Sequence, residues 1–298
     1  MPIEISQFFD DPSVTDVAFN AFDRLALKRQ GLWLSAESPF ASQDDFSQWL
    51  VDLVEAADGR LDFARPSTSV SAGGFRIHAI IGGQIAKQPS ATIRRLNSPA
   101  SDFLFADAPS QRRFEFLKGA VAQRKNILIA GPAGAGKTSL LRSLLSELGH
   151  ERLITIEDVA ELDVQTSNCV ALVAREANVE GAGAVGLNDL VAEALRMSPD
   201  RLIVGEIRGA ELLVILNALN TGHGGAGATI HANSLGSVCS RLETIAASQA
   251  LALPALARMV VDAFDFVVFV DRRPEYRIVS LGRFKLLGES LKVEVLDE

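Results

Sequence analysis

The sequence predicts an α/β fold: a domain built on a mainly parallel sheet, preceded by a smaller α+β domain. Three observations carry this. From Asn126 onward, short apolar runs alternate with helical patterns, as expected when buried parallel strands are joined by crossover helices covering both faces of a sheet. Between Thr68 and Arg95 the pattern changes to β-rich runs split by glycine pairs, the mark of a small sheet with hairpins. A stretch rich in Pro, Ser, Asp and Ala separates the two, which puts a hinge near residues 97 to 111 and the domains at 1–105 and 106–298.

The 298 residues are enough for two hydrophobic cores. With 48% apolar and 22% charged residues the chain has the composition of a folding protein, not a disordered one. Its 29 basic and 37 acidic residues leave a net charge of -8, so there is no overall electrostatic reason to bind nucleic acid or anionic lipid. Cys169 and Cys239 lie far apart with no C-x-x-C partner, so neither a disulfide framework nor a structural zinc site is expected. The start shows no basic segment followed by an apolar core, and no long uncharged apolar run occurs; the expectation is a cytoplasmic protein without signal peptide or transmembrane segment.

Taken in order, "VTDVAFNAFDRLALKR" and "DDFSQWLVDLVEAA" carry helix-like apolar spacing, which predicts two amphipathic helices between residues 15 and 57. The small sheet follows, then the hinge, then a helix in "QRRFEFLKGAVAQ". The strands "NILIA", "RLITI", "CVALV", "RLIVG" and "GATIHA" alternate with helices in "TSLLRSLLSEL", "LNDLVAEALRM", "ELLVILNAL" and "SVCSRLETIAAS". The closing "DFVVFVDRRPEYRIVSLGRFKLL" reads as an added antiparallel hairpin.

Residues 131 to 138, GPAGAGKT, satisfy G-x-x-x-x-G-K-[ST] where that pattern must sit, after a strand and opening a helix. Gly134 and Gly136 permit backbone angles that turn consecutive N–H groups toward phosphate oxygens. The helix start adds its positive end. Lys137 is placed to reach the β- and γ-phosphates, and the Thr138 hydroxyl to ligate Mg²⁺. Gly131, Gly134, Ala135, Gly136, Lys137, Thr138 and Ser139 are therefore the candidate contacts to ATP. The bland alternative is a glycine-rich turn with a solvated lysine.

Hydrolysis also needs a carboxylate for the metal and one for the attacking water. "RLITIEDVAEL" ends its strand in Glu157 and Asp158, and "RLIVGEIRG" ends its strand in Gly205 and Glu206, at the strand ends where parallel sheets place ligands. A solvated loop acid or helix cap is the competing reading for either. In "NTGHGGAGATIHANS", His223 and His231 flank a glycine-rich turn, and His231 is placed to hydrogen-bond a γ-phosphate. A metal site on these histidines lacks a third ligand at suitable spacing.

Four segments together resemble the secretion and pilus-assembly ATPases of the type II/type IV secretion superfamily, in particular the tight-adherence (Flp) pilus branch. They are GPAGAGKT, the aspartate box ITIEDVAEL, ALRMSPDRLIVGEIRGAE with a Walker B ending in G-E, and the histidine box TGHGGAGATIHANS, in that order. The resemblance spans about residues 68 to 250. It implies a RecA-like P-loop ATPase domain, with Glu157 activating the water, Glu206 supporting Mg²⁺ directly or through its water shell, and His231 sensing the phosphate. It also implies arginines from the N-terminal domain at the nucleotide; "GGFRIHAIIGGQIAKQPSATIRRL" points to Arg76, Arg94 and Arg95, of which Arg94 is the candidate catalytic group. A solvated strand edge is the other reading of these arginines. Arg196 and Arg208 flank the Walker B strand as candidates for a neighbouring subunit's site.

Further implications are a homo-hexamer, nucleotide held between two domains, and a cytoplasmic protein at the inner face of the membrane through an inner-membrane platform protein of a pilus or secretion system. The sequence departs from the family pattern at Ala135, where relatives usually carry serine, and in lacking a tetracysteine zinc element. Two other functions compete. A nucleic-acid translocase predicts a basic channel with aromatic side chains, whereas the chain is acidic and holds one tyrosine, so no direct nucleic-acid partner is expected. A non-hydrolysing nucleotide-binding regulator would make Glu157 and Glu206 dispensable.

Overall fold

The computed structural model describes residues 4–29, 31–96, 105, 107–146, 148–149, 151–175, 183–272 and 275–296. It divides into two compact units, Met1–Ser101 and Asp102–Glu298. Most of the predicted hinge, residues 97–104 and 106, lies outside the described residues.

Among the described residues, the first unit is a six-stranded antiparallel sheet with one α-helix. Its strands are β1 (Val14–Ala21), β2 (Arg24–Arg29), β3 (Leu32–Ala36), β4 (Ser67–Ala72), β5 (Phe75–Ile80) and β6 (Ser90–Arg95), in the order β3-β2-β1-β6-β5-β4. Helix α1 (Gln43–Glu55) starts at Ser42, whose hydroxyl accepts the Asp45 N–H, and Asp44 and Asp45 favour its positive end. It buries Phe46, Leu50 and Val54 against Val17, Phe19, Ile77 and Ile93.

The first of the two predicted helices is instead the β1–β2 hairpin. Val17, Phe19 and Ala21 alternate into the core, and a two-residue turn separates the strands. The alanines interleaved with Val and Phe satisfy a helical period and a strand period together, and β-branched and aromatic residues settle the contest for the strand. The adjacent β3 has no counterpart among the predicted elements.

The second unit holds α2 (Ala108–Ala122), β7 (Ile127–Gly131), α3 (Lys137–Leu145), β8 (Leu153–Glu157), β9 (Cys169–Val173), α4 (Leu187–Leu195), β10 (Arg201–Ile207), α5 (Glu211–Leu219), β11 (Gly227–His231), α6 (Ser237–Ser248), α7 (Leu253–Ala263), β12 (Phe266–Asp271), β13 (Arg277–Leu287) and β14 (Ser290–Val295). The sheet order is β14-β13-β12-β7-β11-β10-β8-β9. β12, β7, β11, β10, β8 and β9 run parallel, and β13 and β14 add antiparallel. The predicted α/β class is thus realised, with helices on both faces. Leu117 and Val121 of α2 and Leu140, Leu141, Leu144 and Leu145 of α3 cover one face; α4 to α7 cover the other. The closing segment is more than an added hairpin: β12 is a core strand parallel to β7, and only β13 and β14 are the antiparallel extension.

Asn126 fixes where three of these strands begin. Its side chain donates to the Ala263 carbonyl at 2.7 Å and accepts the Ala226 N–H at 2.9 Å, while its own N–H donates to Asp265 at 2.8 Å. Among the described residues, no helix is long and apolar enough to cross a membrane.

Candidate functional site

β7 is buried along its whole length and delivers the chain to the loop at Gly131. A Cβ on Gly131 would stand 2.5 Å from the Val270 carbonyl of β12, so only glycine lets the two parallel strands close up here. Gly134 and Gly136 have φ of +73° and +84°, the left-handed conformation that curls the loop back onto the start of α3. Ala135 turns its methyl into the core under this loop and is 2% exposed. A hydroxyl at this position would need a buried partner.

Lys137 is the first residue of α3 and is 7% exposed. Its three ammonium donors reach the carbonyls of Gly131 at 3.1 Å and Pro132 at 3.0 Å and the Nδ1 of His231 at 3.1 Å. Burial pushes its pKa from 10.5 down to about 8, against the upward pull of Glu206 and Glu161. Thr138 and Ser139 follow, half-buried, in the first helical turn.

His231 ends β11 level with Gly131 of β7. Because an ammonium only donates, Nδ1 accepts and the ring proton lies on Nε2, facing Glu206 Oε1 at 3.3 Å. Burial and the Lys137 charge hold the imidazole below its usual pKa despite Glu206 nearby, so it is neutral. The other Glu206 oxygen accepts from Arg208 Nη2 at 2.7 Å, and Arg208 Nη1 continues to Asp158 at 3.1 Å. Burial alone would raise the Glu206 carboxyl; the Arg208 hydrogen bond, with the charges of Arg208 and Lys137, outweighs it and keeps the group ionised. A continuous polar chain therefore runs Lys137, His231, Glu206, Arg208, Asp158 across the ends of adjacent strands. A cleft of about 440 Å³ opens beside it, with Asp158, Arg208 and the start of α4 in its wall.

Glu157 sits apart from this chain. It is 4% exposed, and its Oε1 accepts the N–H groups of Glu161 at 3.0 Å and Leu162 at 2.9 Å. Burial nevertheless lifts its pKa from 4.5 to about 7, because the two amide bonds do not offset desolvation. The side chain lies across Gly205 on the neighbouring strand, where a Cβ would stand 2.8 Å from Glu157 Cγ. Glycine at 205 thereby has a physical cause, since a larger residue there would displace the acid.

One contributor was named from sequence in a different role, and another was not singled out at all. Arg208, expected to face a neighbour, binds Glu206 and Asp158 of its own chain. Glu211 is buried and accepts the backbone N–H groups of Arg208 and Gly209, fixing the turn that aims Arg208. Its signal is an acidic residue at the start of an apolar helix, two positions after a glycine. Arg196 is exposed and pairs with Glu193. His223 stands at the opposite end of β11 from His231, its Nδ1 3.2 Å from the Ala218 carbonyl.

Arg76, Arg94 and Arg95 belong to the first unit. Arg94 bonds the buried Asp16 at 2.8 Å and keeps its side chain 55% exposed, with Arg76 opposite it on β5. Arg95 donates to the Phe9 carbonyl and lies over the Phe9 ring.

A family model described as type II/IV secretion system protein matches residues 76–267. The chain belongs to this family. A Mycobacterium tuberculosis protein named for conjugal transfer is 37% identical over 282 residues, 90% of this chain and 80% of that one. The conjugal transfer protein TrbB of Rhizobium radiobacter is 30% identical over 282 residues, 91% of this chain and 83% of its own. Among solved structures, the Legionella pneumophila ATPase DotB shares the fold with a TM-score of 0.64 at 18% identity, covering 95% of this chain and 80% of its own. The secretion-family membership expected from the four motifs is thereby established; within the family, no branch is singled out.

Proposed function

We propose that this chain is an ATP-hydrolysing motor of a secretion or pilus system, of the tight-adherence branch by the motifs it carries. The observation that carries the reading is the polar chain from Lys137 to Asp158, laid across the C-terminal ends of parallel strands beside a left-handed glycine loop. Such a loop and helix start suit an anionic triphosphate. In this reading the phosphates take over Lys137 from the Gly131 and Pro132 carbonyls. Gly131, Gly134, Ala135, Gly136, Thr138 and Ser139 contribute to the cradle.

Thr138 and Glu206 offer the hard oxygen donors that Mg²⁺ takes alongside retained water, so the residues fit that ion, which would neutralise phosphate charge when bound. Glu157, with a pKa near neutrality, suits a general base that alternately accepts and releases a proton. His231 reports the γ-phosphate by exchanging its lysine contact for it. Arg94, with Arg76 and Arg95, completes the site from the first unit. Closure of the two units in a hexamer then delivers work to an inner-membrane platform protein at the cytoplasmic face, limited by the difference in affinity of ATP and ADP for the open and closed states.

The test is phosphate release from Mg-ATP by the purified chain, with and without membranes holding a platform protein, beside Glu157→Gln and Arg94→Ala. Release by wild type, loss in Glu157→Gln with binding retained, and stimulation by the platform but not by DNA are expected. Stimulation by DNA alone would favour a nucleic-acid translocase; ATP binding without release in any assembly would leave a nucleotide-binding regulator.

A further inference from the structure

Resting on the nucleotide reading above, we infer that three aromatic side chains hold the base of the bound nucleotide: Phe105, Phe114 and Tyr276. The acids and His231 all lie on one side of β7, on β11, β10 and β8. A triphosphate whose γ end points to that side carries its nucleoside away on the other, toward β12 and β13. There Tyr276, just before β13, lies against the loop so closely that a Cβ on Gly136 would stand 2.7 Å from its ring.

Phe105 comes within 5.8 Å of Tyr276 and 5.1 Å of Phe114, ring centre to ring centre. All three are only partly buried, in contrast to the fully buried aliphatic side chains of α3 beside them.

The trio is framed rather than loose. Asp107 caps α2 through the Ser110 N–H at 2.7 Å, and the Ser110 hydroxyl accepts the Ile278 N–H at 3.1 Å. Arg113 donates to the Ile278 carbonyl at 2.8 Å, and Arg277 pairs with Asp107 at 3.4 Å. These bonds bolt the first turn of α2 to the start of β13, so aromatic groups from three separate segments meet beside Gly136. A flat heteroaromatic base suits such a group, since ring pairs attract at offset or edge-to-face separations of roughly 4.5–7 Å. The shared chemistry is a π-face, so the platform reads a ring next to the phosphates and does not by itself choose among bases.

The experiment titrates the full chain with Mg-ATP and, separately, with magnesium and inorganic tripolyphosphate, which offers phosphates without a base. Wild type should prefer ATP. Phe105→Ala and Phe114→Leu should each weaken ATP by about tenfold, the scale of one lost base–aromatic contact, while tripolyphosphate affinity stays within about twofold.

Equal losses for both probes would mean that the aromatics merely support the loop, and an unchanged ATP affinity would place the base elsewhere; either overturns the inference. Tripolyphosphate bound as tightly as ATP by wild type also overturns it while sparing the phosphate loop. Failure of wild type to bind either probe removes the nucleotide reading itself, and the platform with it.

Discussion

Glu157→Gln separates charge from shape at one atom. The Gln carbonyl can still accept the Glu161 and Leu162 N–H groups and keeps the side-chain volume lying over Gly205, while the ionisable proton is gone. In the folded chain the Glu157 pKa rises from 4.5 to about 7, so the native state holds a proton that the unfolded chain releases. The sign follows: this group's stabilising contribution is fully present below pH 4.5, and it is lost as pH rises through about 7. With those two values, linkage gives about 2.5 kcal/mol of wild-type stability lost between about pH 5 and about pH 8.5 through this residue alone. Groups common to both proteins cancel in the comparison. Denaturant unfolding of wild type and variant at the two pH values should therefore show Glu157→Gln gaining on wild type by that amount at the alkaline end, with phosphate release abolished. A difference that stays flat with pH would refute the claim that desolvation, not the amide bonds, governs this carboxyl.

Two further outcomes follow. Gly205→Ala should cost about 1–3 kcal/mol by overpacking, because Glu157 Cγ is only 2.8 Å away on a side chain pinned by two amides; adding Glu157→Ala should return most of it, and a double-mutant cycle without coupling would contradict the contact. Lys137, at a pKa of about 8 in the free protein, regains a full charge when an anion binds, so ATP affinity should weaken as pH climbs past about 8 and binding there should take up protons; calorimetry in buffers of different ionisation enthalpy measures this, and proton release would contradict it.

The core of the site was legible because its signals are local. The apolar runs of β7, β8, β10 and β11 are buried strands read directly from consecutive residues, and the loop between β7 and α3 announces itself by spacing. The placement of Glu157, Glu206 and His231 at strand ends was legible the same way. What stayed hidden depends on neighbours distant in sequence. Gly205 takes its meaning from Glu157 across the sheet. Arg208 reaches Glu206 and Asp158 from a backbone turn that Glu211 holds. The β1–β2 hairpin was obscured by alanines that fit both periods, and the edge strands β3 and β14 were not read, with exposed Leu32, Trp33 and Leu34 on the first and Val295 on the second.

The clasp at Asn126 lies at the far end of β7 from the phosphate loop. Sliding that strand lengthwise would break its bonds to Ala226, Ala263 and Asp265 together, along with the Lys125 contact to Asp265. The rod that carries the loop is therefore anchored at its root, like a piston housing rather than a piston. In the proposed motor, movement during a turnover would then lie beyond the strand tips, with the root of β7 as a fixed abutment.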